Sequence, residues 1–368
     1  MPERVLTTRD LNRALLARQL LLERSRLPLT RALEQVAGLQ MQYAPSAYIG
    51  LWSRLERFAL DDLTRALEQR RVVQGTLMRA TIHVVSARDY PLFVAAIRRS
   101  RREWWLRLHR KQLGEVEMEV IADLVRKALA RGPRRRDEFV ELLRSYDSMG
   151  RSVVWNGVGV WINLVRVPPS GTWERRRADV YATADDWLGG SAPEEEEARA
   201  HLLRRYLRGF GPAKLADAAD WAGVPVTMLR PTAERLRLRR FRDVEGGELL
   251  DLPRAPLPGG DAPAPVRFLP TWDATLLVQT RRTEILPEPF RPLVFNTKTP
   301  HSTPTFLVDG AVAGTWRVER TAGRASLVIE PFEPLPAAVR RELQEEAEGL
   351  VRLVEPNAPT HVVRTGSR

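Results

Sequence analysis

The run Gln40-Met41-Gln42-Tyr43 sets two carboxamides one residue apart. On an extended segment alternate side chains share a face, so Gln40 and Gln42 would point one way and Met41 the other, into the core. Amides are neither strong acids nor strong bases. They orient a water molecule and place carbonyl oxygens beside a developing positive charge. That suits a bond cleavage whose leaving group is already poised to depart. Two spaced glutamines also serve structural purposes, and the spacing alone does not separate the two readings. Further on, Arg79, Thr81 and His83 alternate along a predicted strand. They either line a polar cleft or form the wet face of an edge strand.

Basic segments are the second chemical feature. Arg98 to Lys111 holds seven arginine or lysine residues around Trp104 and Trp105, Arg134-Arg135-Arg136 opens a predicted helix, and Arg175-Arg176-Arg177 lies in a predicted hairpin. Arginines at such places reach phosphates and tryptophans stack on bases. A solvated arginine face over a tryptophan core gives the same pattern. The net charge of +12 and pI near 10.7 favour a polyanionic partner, nucleic acid before a membrane surface. Only four of the 58 basic residues are lysine, a bias that a GC-rich genome alone produces.

Several chemistries are excluded. With no cysteine there are no disulfides, thiolate metal sites or cysteine nucleophiles. The five histidines do not pair at metal-ligand spacing, so neither metal nor cofactor is expected. Phosphate-binding glycine loops, nucleophile elbows and zincin helices are missing. No apolar run approaches the roughly 20 residues of a membrane span, and Met1 to Arg13 is too polar for a signal peptide, which predicts a cytoplasmic chain without membrane contact.

The elements that must position these residues recur in order. Helices are predicted over 8–24 (capped by Thr8), 29–40 and 61–69, then two extended pieces from Val72 to Val85 turning near Gly75. Helix, helix, helix, hairpin is the order of a winged helix-turn-helix. It returns as helices over 88–110, 116–131, 134–145 and 153–165 with a wing over 172–181. It returns again as a helix opened by Pro212, a tight turn at Gly223, a helix over 228–236 and a wing over 239–252 turning at Gly246-Gly247. A Pro/Ala/Gly linker covers 253–265. Beyond it, strands are predicted at 275–280, 305–308, 311–319 and 325–329, with a hairpin turn at Asp309-Gly310 and a last helix over 337–354. The prediction is an α+β chain of winged helices at 1–86, 87–190 and 191–255, followed by a β-barrel with a terminal helix at 266–368.

Taken together the residues resemble the bacterial winged-helix DNA glycosylases of the AlkZ type, which unhook interstrand cross-links. The resemblance spans nearly the whole chain. It rests on Gly38-Leu39-Gln40-Met41-Gln42 with Leu51-Trp52-Ser53-Arg54, on Met78 to His83, on Phe210-Gly211-Pro212 with Trp221, and on Phe268-Leu269-Pro270 through Asp273, Phe306 to Gly310 and Gly314 to Arg317. It implies three tandem winged helices forming a concave surface, a C-terminal barrel, and a catalytic glutamine–hydrophobic–glutamine motif matched by Gln40, Met41 and Gln42. One branch of the family has aspartate at the last position; Gln42 places this chain with the self-resistance branch. The family's barrel has an acidic residue before a single arginine, where this chain has Thr280-Arg281-Arg282.

An N7- or N3-alkylated purine is cationic, and its departure leaves an oxocarbenium-like sugar. The chemistry then suggests the sugar cation for Gln40 and the attacking water for Gln42, or the two roles exchanged. Tyr43, Arg54, Arg79, His83, Arg175, Arg176, Arg282 and His301 are the expected DNA contacts. The expected partner of this monomer is duplex DNA carrying alkylpurine or cross-link lesions, reached within the duplex because a tethered base cannot flip freely. The alternative is a non-enzymatic winged-helix regulator, which would bind unmodified DNA and release no base.

Overall fold

Each turn of the chain into the site is set by local backbone signals. The structure, a computed structural model, describes residues 4–146, 153–190, 193–277, 285–295 and 302–366. Strand β1 (Val5–Leu6) leads into α1 (Thr8–Arg18). Thr7, not Thr8, caps this helix: its hydroxyl accepts from the Asp10 N–H at 3.1 Å, and the Asp10 carboxylate accepts from the Thr7 N–H at 3.0 Å. The helix stops well short of residue 24 because Leu20 takes a left-handed φ of 58°. Helix α2 (Leu29–Gln35) is likewise shorter than predicted, since Ala37 and Gly38 have φ of 63° and 82° and redirect the chain into β2 (Leu39–Gln40). Then come α3 (Ala44–Arg54), which the periodicity did not predict, and α4 (Leu60–Glu68).

Strands β3 (Val72–Thr76) and β4 (Ile82–Ser86) form the first hairpin. Its turn lies at Leu77–Thr81 rather than at Gly75. Gly75 is needed inside β3 because a Cβ there would sit 2.4 Å from the Tyr90 ring. The second group comprises α5 (Asp89–Leu113), α6 (Met118–Leu129), β5 (Arg134–Arg135), α7 (Arg136–Leu142), α8 (Val153–Trp161), β6 (Leu164–Arg166) and β7 (Val180–Thr183). Arg134 and Arg135 therefore pair as a strand with Val180 and Tyr181 before the predicted helix begins. The third group is α9 (Ala184–Leu188), α10 (Glu195–Phe210), α11 (Leu215–Ala222), α12 (Val226–Arg235), β8 (Arg239–Asp243) and β9 (Glu248–Asp251). Pro212 precedes α11 rather than opening it, whereas Gly223, at φ 74°, makes the expected tight turn.

The last group is β10 (Arg267–Leu269), α13 (Ala274–Leu277), α14 (Arg291–Val294), β11 (Thr305–Val308), β12 (Ala311–Thr321), β13 (Arg324–Pro331), α15 (Ala337–Val354) and β14 (Thr360–Thr365). The predicted strand at 275–280 is helical as far as Leu277, and its remainder lies outside the described residues. The expected barrel is an open five-stranded sheet ordered β10-β11-β12-β13-β14 among the described residues. Helix α15 carries the chain across so that β14 joins β13 in parallel.

The first two hairpins do not stand apart. They merge in one six-stranded sheet, ordered β2-β4-β3-β6-β7-β5, while β1 pairs in parallel with β8 of the third hairpin. The largest core gathers α1, α5, α10 and α11 and reaches Leu307 and Val312, so it crosses every predicted boundary. A second core packs α2, α3 and α4 against Phe268, Phe306, Trp316 and α15, and a third holds α6 to α8 together. Two buried ion pairs fasten the start of the chain to later segments. Arg18 in α1 meets Asp251 in β9 at 2.6 Å, and Arg54 in α3 meets Asp273 at 2.9 Å. The fold is α+β.

Candidate functional site

The two glutamines lie at the end of the six-stranded sheet. Strand β2 is only two residues long, and the register pairs Leu39 with Val84 and Gln40 with His83. One residue on, the Met41 N–H donates to the Ile82 carbonyl at 2.7 Å, and the buried Gln74 amide donates to the Met41 carbonyl at 3.3 Å. Met41 is thus pinned through its backbone while its side chain is 1% exposed in the core. The alternation expected of this segment holds for Met41. The two amides differ in setting. Gln40 is 7% exposed and Gln42 is exposed. The Gln42 side-chain oxygen accepts from the Ile82 N–H at 3.2 Å, which fixes its amide plane. The Gln40 oxygen faces an Arg79 guanidinium nitrogen across 3.5 Å, the long limit of a hydrogen bond.

Arg79 does not sit on a strand. It lies in the tight turn between β3 and β4 with φ of 51°, followed by Ala80 at 56°. Gly223 buttresses that turn, since a Cβ on Gly223 would come within 3.1 Å of the Arg79 nitrogen. Two groups of the chain remote in sequence therefore fix where Arg79 stands. His83 is buried, and its Nδ1 lies 3.1 Å from the Thr81 carbonyl oxygen. Burial first, and the Arg79 charge second, hold its imidazole near pKa 3. At neutral pH it is uncharged, so whatever it offers a ligand it offers as a neutral ring.

Beside Gln42, Tyr43 is 42% exposed and its hydroxyl accepts from Arg176 at 3.0 Å. Arg176 also lies over the Trp173 ring at 5.4 Å. Trp173 meets Tyr48 of α3 edge-on and donates its backbone N–H to the Tyr48 hydroxyl at 3.1 Å, so the loop before β7 is anchored on the helix that follows the glutamines. Tyr43, Trp173 and Arg176 line a cavity of about 310 Å³ that reaches Trp316 and Arg320. Arg175, with Arg135 and Arg177, surrounds the buried Asp179 at 3.4–3.7 Å.

Arg54 departs from expectation. It is fully buried, paired with Asp273 and bonded to the Gly50 carbonyl at 3.0 Å, so it holds α3 in place and presents nothing to a ligand. Arg282 and His301 lie outside the described residues. Gln40, Gln42, Arg79 and His83 come together, with Tyr43 and Arg176 adjoining them through the chain. Sequence reasoning missed Gln74, Trp173 and Asp273. A glutamine amid valines in a strand was the available signal for the first, and the run from Phe268 to Asp273 that carries part of the resemblance was the signal for the last; nothing local marks Trp173. Among the described residues no three His, Asp or Glu side chains converge as a metal site, and no helix is long and apolar enough to cross a membrane.

A family model for AlkZ-like DNA glycosylases matches residues 33–353, which include every element just described around the glutamines. The chain belongs to the AlkZ-like DNA glycosylase family. An interstrand DNA cross-link repair glycosylase of Streptomyces sahachiroi is 22% identical over 362 residues, covering 91% of this chain and 93% of that one. The solved structure of the Streptomyces sahachiroi DNA glycosylase AlkZ superposes with a TM-score of 0.80 at 20% identity, covering 98% of this chain and all of that one. At that identity the match speaks for the fold. It shows that the α+β fold follows that of AlkZ over nearly the whole chain.

Proposed function

We propose that this AlkZ-like chain hydrolyses the N-glycosidic bond of bulky cationic alkylpurines in duplex DNA, cross-linked purines included, as a monofunctional glycosylase in repair or genotoxin self-resistance. The observation carrying this reading is the pair of amides at the end of β2, with Gln42 oriented by the Ile82 N–H and Gln40 set against Arg79. The bond from C1′ to the base nitrogen breaks with its electrons passing to the base, which leaves neutral. Water attacks C1′ and loses its proton to solvent. Gln40 offers its oxygen to the sugar cation once Arg79 turns to a flanking phosphate, and Gln42 holds the water. No metal or cofactor enters this scheme. Tyr43, Arg175 and Arg176 meet the duplex beside the lesion.

The repeated order of helices and hairpin supports three winged helices at 1–86, 87–190 and 191–255, interlocked through shared sheets. We assign the chain to a monomer acting in the cytoplasm. The test is incubation with DNA carrying N7-alkylguanine or a cross-link, with abasic sites as the readout. Gln40→Ala and Gln42→Ala should each lower excision about 100-fold or more while duplex affinity is kept. Undiminished excision in the double variant would falsify the assignment, and binding without base release in the unaltered chain would favour a regulator.

A further inference from the structure

The arginine-rich stretch of α5 is not used by the glutamine site. Arg98, Arg101 and Arg102 lie within about one and a half turns there, the exposed Arg99 between them pairing with Glu103, and Arg166 packs beside them from β6. Elsewhere the buried arginines have carboxylates: Arg18 has Asp251, Arg54 has Asp273, and Arg205 has Asp89. Arg101 and Arg166, which are buried, and Arg98 and Arg102, which are half-buried, have no ion pair among the described residues. Arg101 reaches the Thr76 and Gly159 carbonyls at 2.9 and 2.7 Å, and Arg166 reaches the Thr76 hydroxyl at 3.1 Å. Arg102 donates to the Trp161 carbonyl at 3.1 Å. The Nε atoms of Arg98 and Arg102 are buried with no partner. Burial, then the neighbouring Arg98 charge, pulls the Arg102 pKa down, and the nearby Glu119, which raises it, already accepts from the Trp161 indole at 2.9 Å. Crowded guanidinium groups without a counter-charge are costly, and an anion relieves that cost.

Arg98 and Arg102 open onto a cavity of about 580 Å³ between α5, α8 and α9. Arg70 and Arg126 complete its basic wall, Arg70 stacked over Trp187 at 4.0 Å. Asp185 is the acidic residue of the lining, and it has no ion pair among the described residues. We propose that this cavity binds a phosphoryl group through Arg98 and Arg102, as a second anion site separate from the glutamine centre. Arginine's planar fork suits phosphate geometry. The group comes either from the DNA backbone or from a free phosphate ester, and the experiment separates the two.

Inorganic phosphate is titrated into the full chain at constant ionic strength set with sodium chloride, by calorimetry and thermal shift. Arg98→Gln and Arg102→Gln should each weaken phosphate about tenfold or more. Arg57→Gln, the same charge change at an exposed site, should leave it unaltered. Asp185→Asn should tighten it, a gain that needs no loss of folded protein. The same variants are then scored for the salt dependence of duplex affinity. A slope reduced by about one in Arg98→Gln and Arg102→Gln assigns the phosphate to the DNA backbone; an unchanged slope with lost phosphate binding assigns it to a free ester. Phosphate affinity equal to that of Arg57→Gln, or unmoved by Asp185→Asn, overturns the proposal. The phosphate titration contains no DNA, so its failure leaves the glycosylase reading untouched.

Discussion

Replacing Arg54 tests whether the last residue of α3, the helix that follows the glutamines, is structural or a DNA contact. Both partners of the Arg54–Asp273 pair are out of solvent, with side chains 0% and 1% exposed. The pair is bidentate, at 2.9 and 3.0 Å, and Arg54 adds the Gly50 carbonyl at 3.0 Å. Arg54→Met removes the cation and leaves a carboxylate buried. Breaking a buried pair from one side costs about 3–5 kcal/mol. Asp273 keeps two hydrogen bonds from Thr275, at 2.8 and 3.1 Å, which places the expected loss near the lower end, about 3 kcal/mol. Asp273→Asn strands the guanidinium instead, at similar cost. In the double variant no charge is left stranded, so its loss should fall short of the sum of the singles by about 2 kcal/mol. Urea denaturation measures all three. The salt dependence of duplex affinity should not change, because a buried arginine neutralises no phosphate. A stability loss below about 1 kcal/mol in Arg54→Met, or a salt slope reduced by one, refutes the structural role.

Three further outcomes follow from particular side chains. His83 has a pKa near 3 in the folded chain against an ordinary value of 6.5. The unfolded chain therefore takes up a proton below pH 6.5 that the native chain refuses until about pH 3, and stability falls across that window as pH drops. At pH 5 the loss from this group is about 2 kcal/mol, and denaturation of His83→Asn at pH 7 and pH 5 should lack it. Gly75→Ala forces a methyl to within 2.4 Å of Tyr90 and should cost about 1–3 kcal/mol by chemical denaturation; a neutral result would mean the ring moves freely. Arg176→Ala should lower the salt slope of duplex binding by about one and leave the fold intact, since it caps the exposed Tyr43 and lies over the outer face of Trp173, whose ring stays packed on Tyr48.

What the sequence disclosed tracks how local each signal is. Helix α15 was legible end to end because its apolar stripe is one-sided, and the turns at Asp309-Gly310 and Gly246-Gly247 carry their own chemistry. Helix α3 was not, for the opposite reason. All its residues but Trp52 are buried, so it has no polar face to mark a period, and Pro45 and Gly50 read as breakers. The two-residue strands β2 and β5 exist through their partners rather than their composition. Arg79 was misread as a strand residue because nothing in a non-glycine side chain announces a left-handed turn. Arg54 was misread because its carboxylate lies 219 positions away. Gln40 and Gln42 were singled out by residue type and by the resemblance, while the features that set them apart, Ile82 for one and Arg79 with His83 for the other, come from the sheet register and the packing of the turn.

That difference bears on what the site asks of its substrate. Among the described residues the side-chain hydrogen-bond partners of the two amides are the Arg79 guanidinium and the Ile82 N–H, both donors. His83, across the register from Gln40, is held neutral, and its Nδ1 faces the Thr81 carbonyl. None of these groups gives a proton to a departing base at neutral pH, because an amide and a guanidinium hold theirs and a buried imidazole of such low pKa has none to spare. A base that must be protonated before it leaves would find no donor in this set. A purine already carrying an alkyl group and a positive charge needs none, and the polarised amide oxygens then act only on the sugar. For the proposed reaction this favours a cationic leaving group over an unmodified base, through the absence of proton-transfer power in the groups that meet the glutamines rather than through a shape fitted to one lesion.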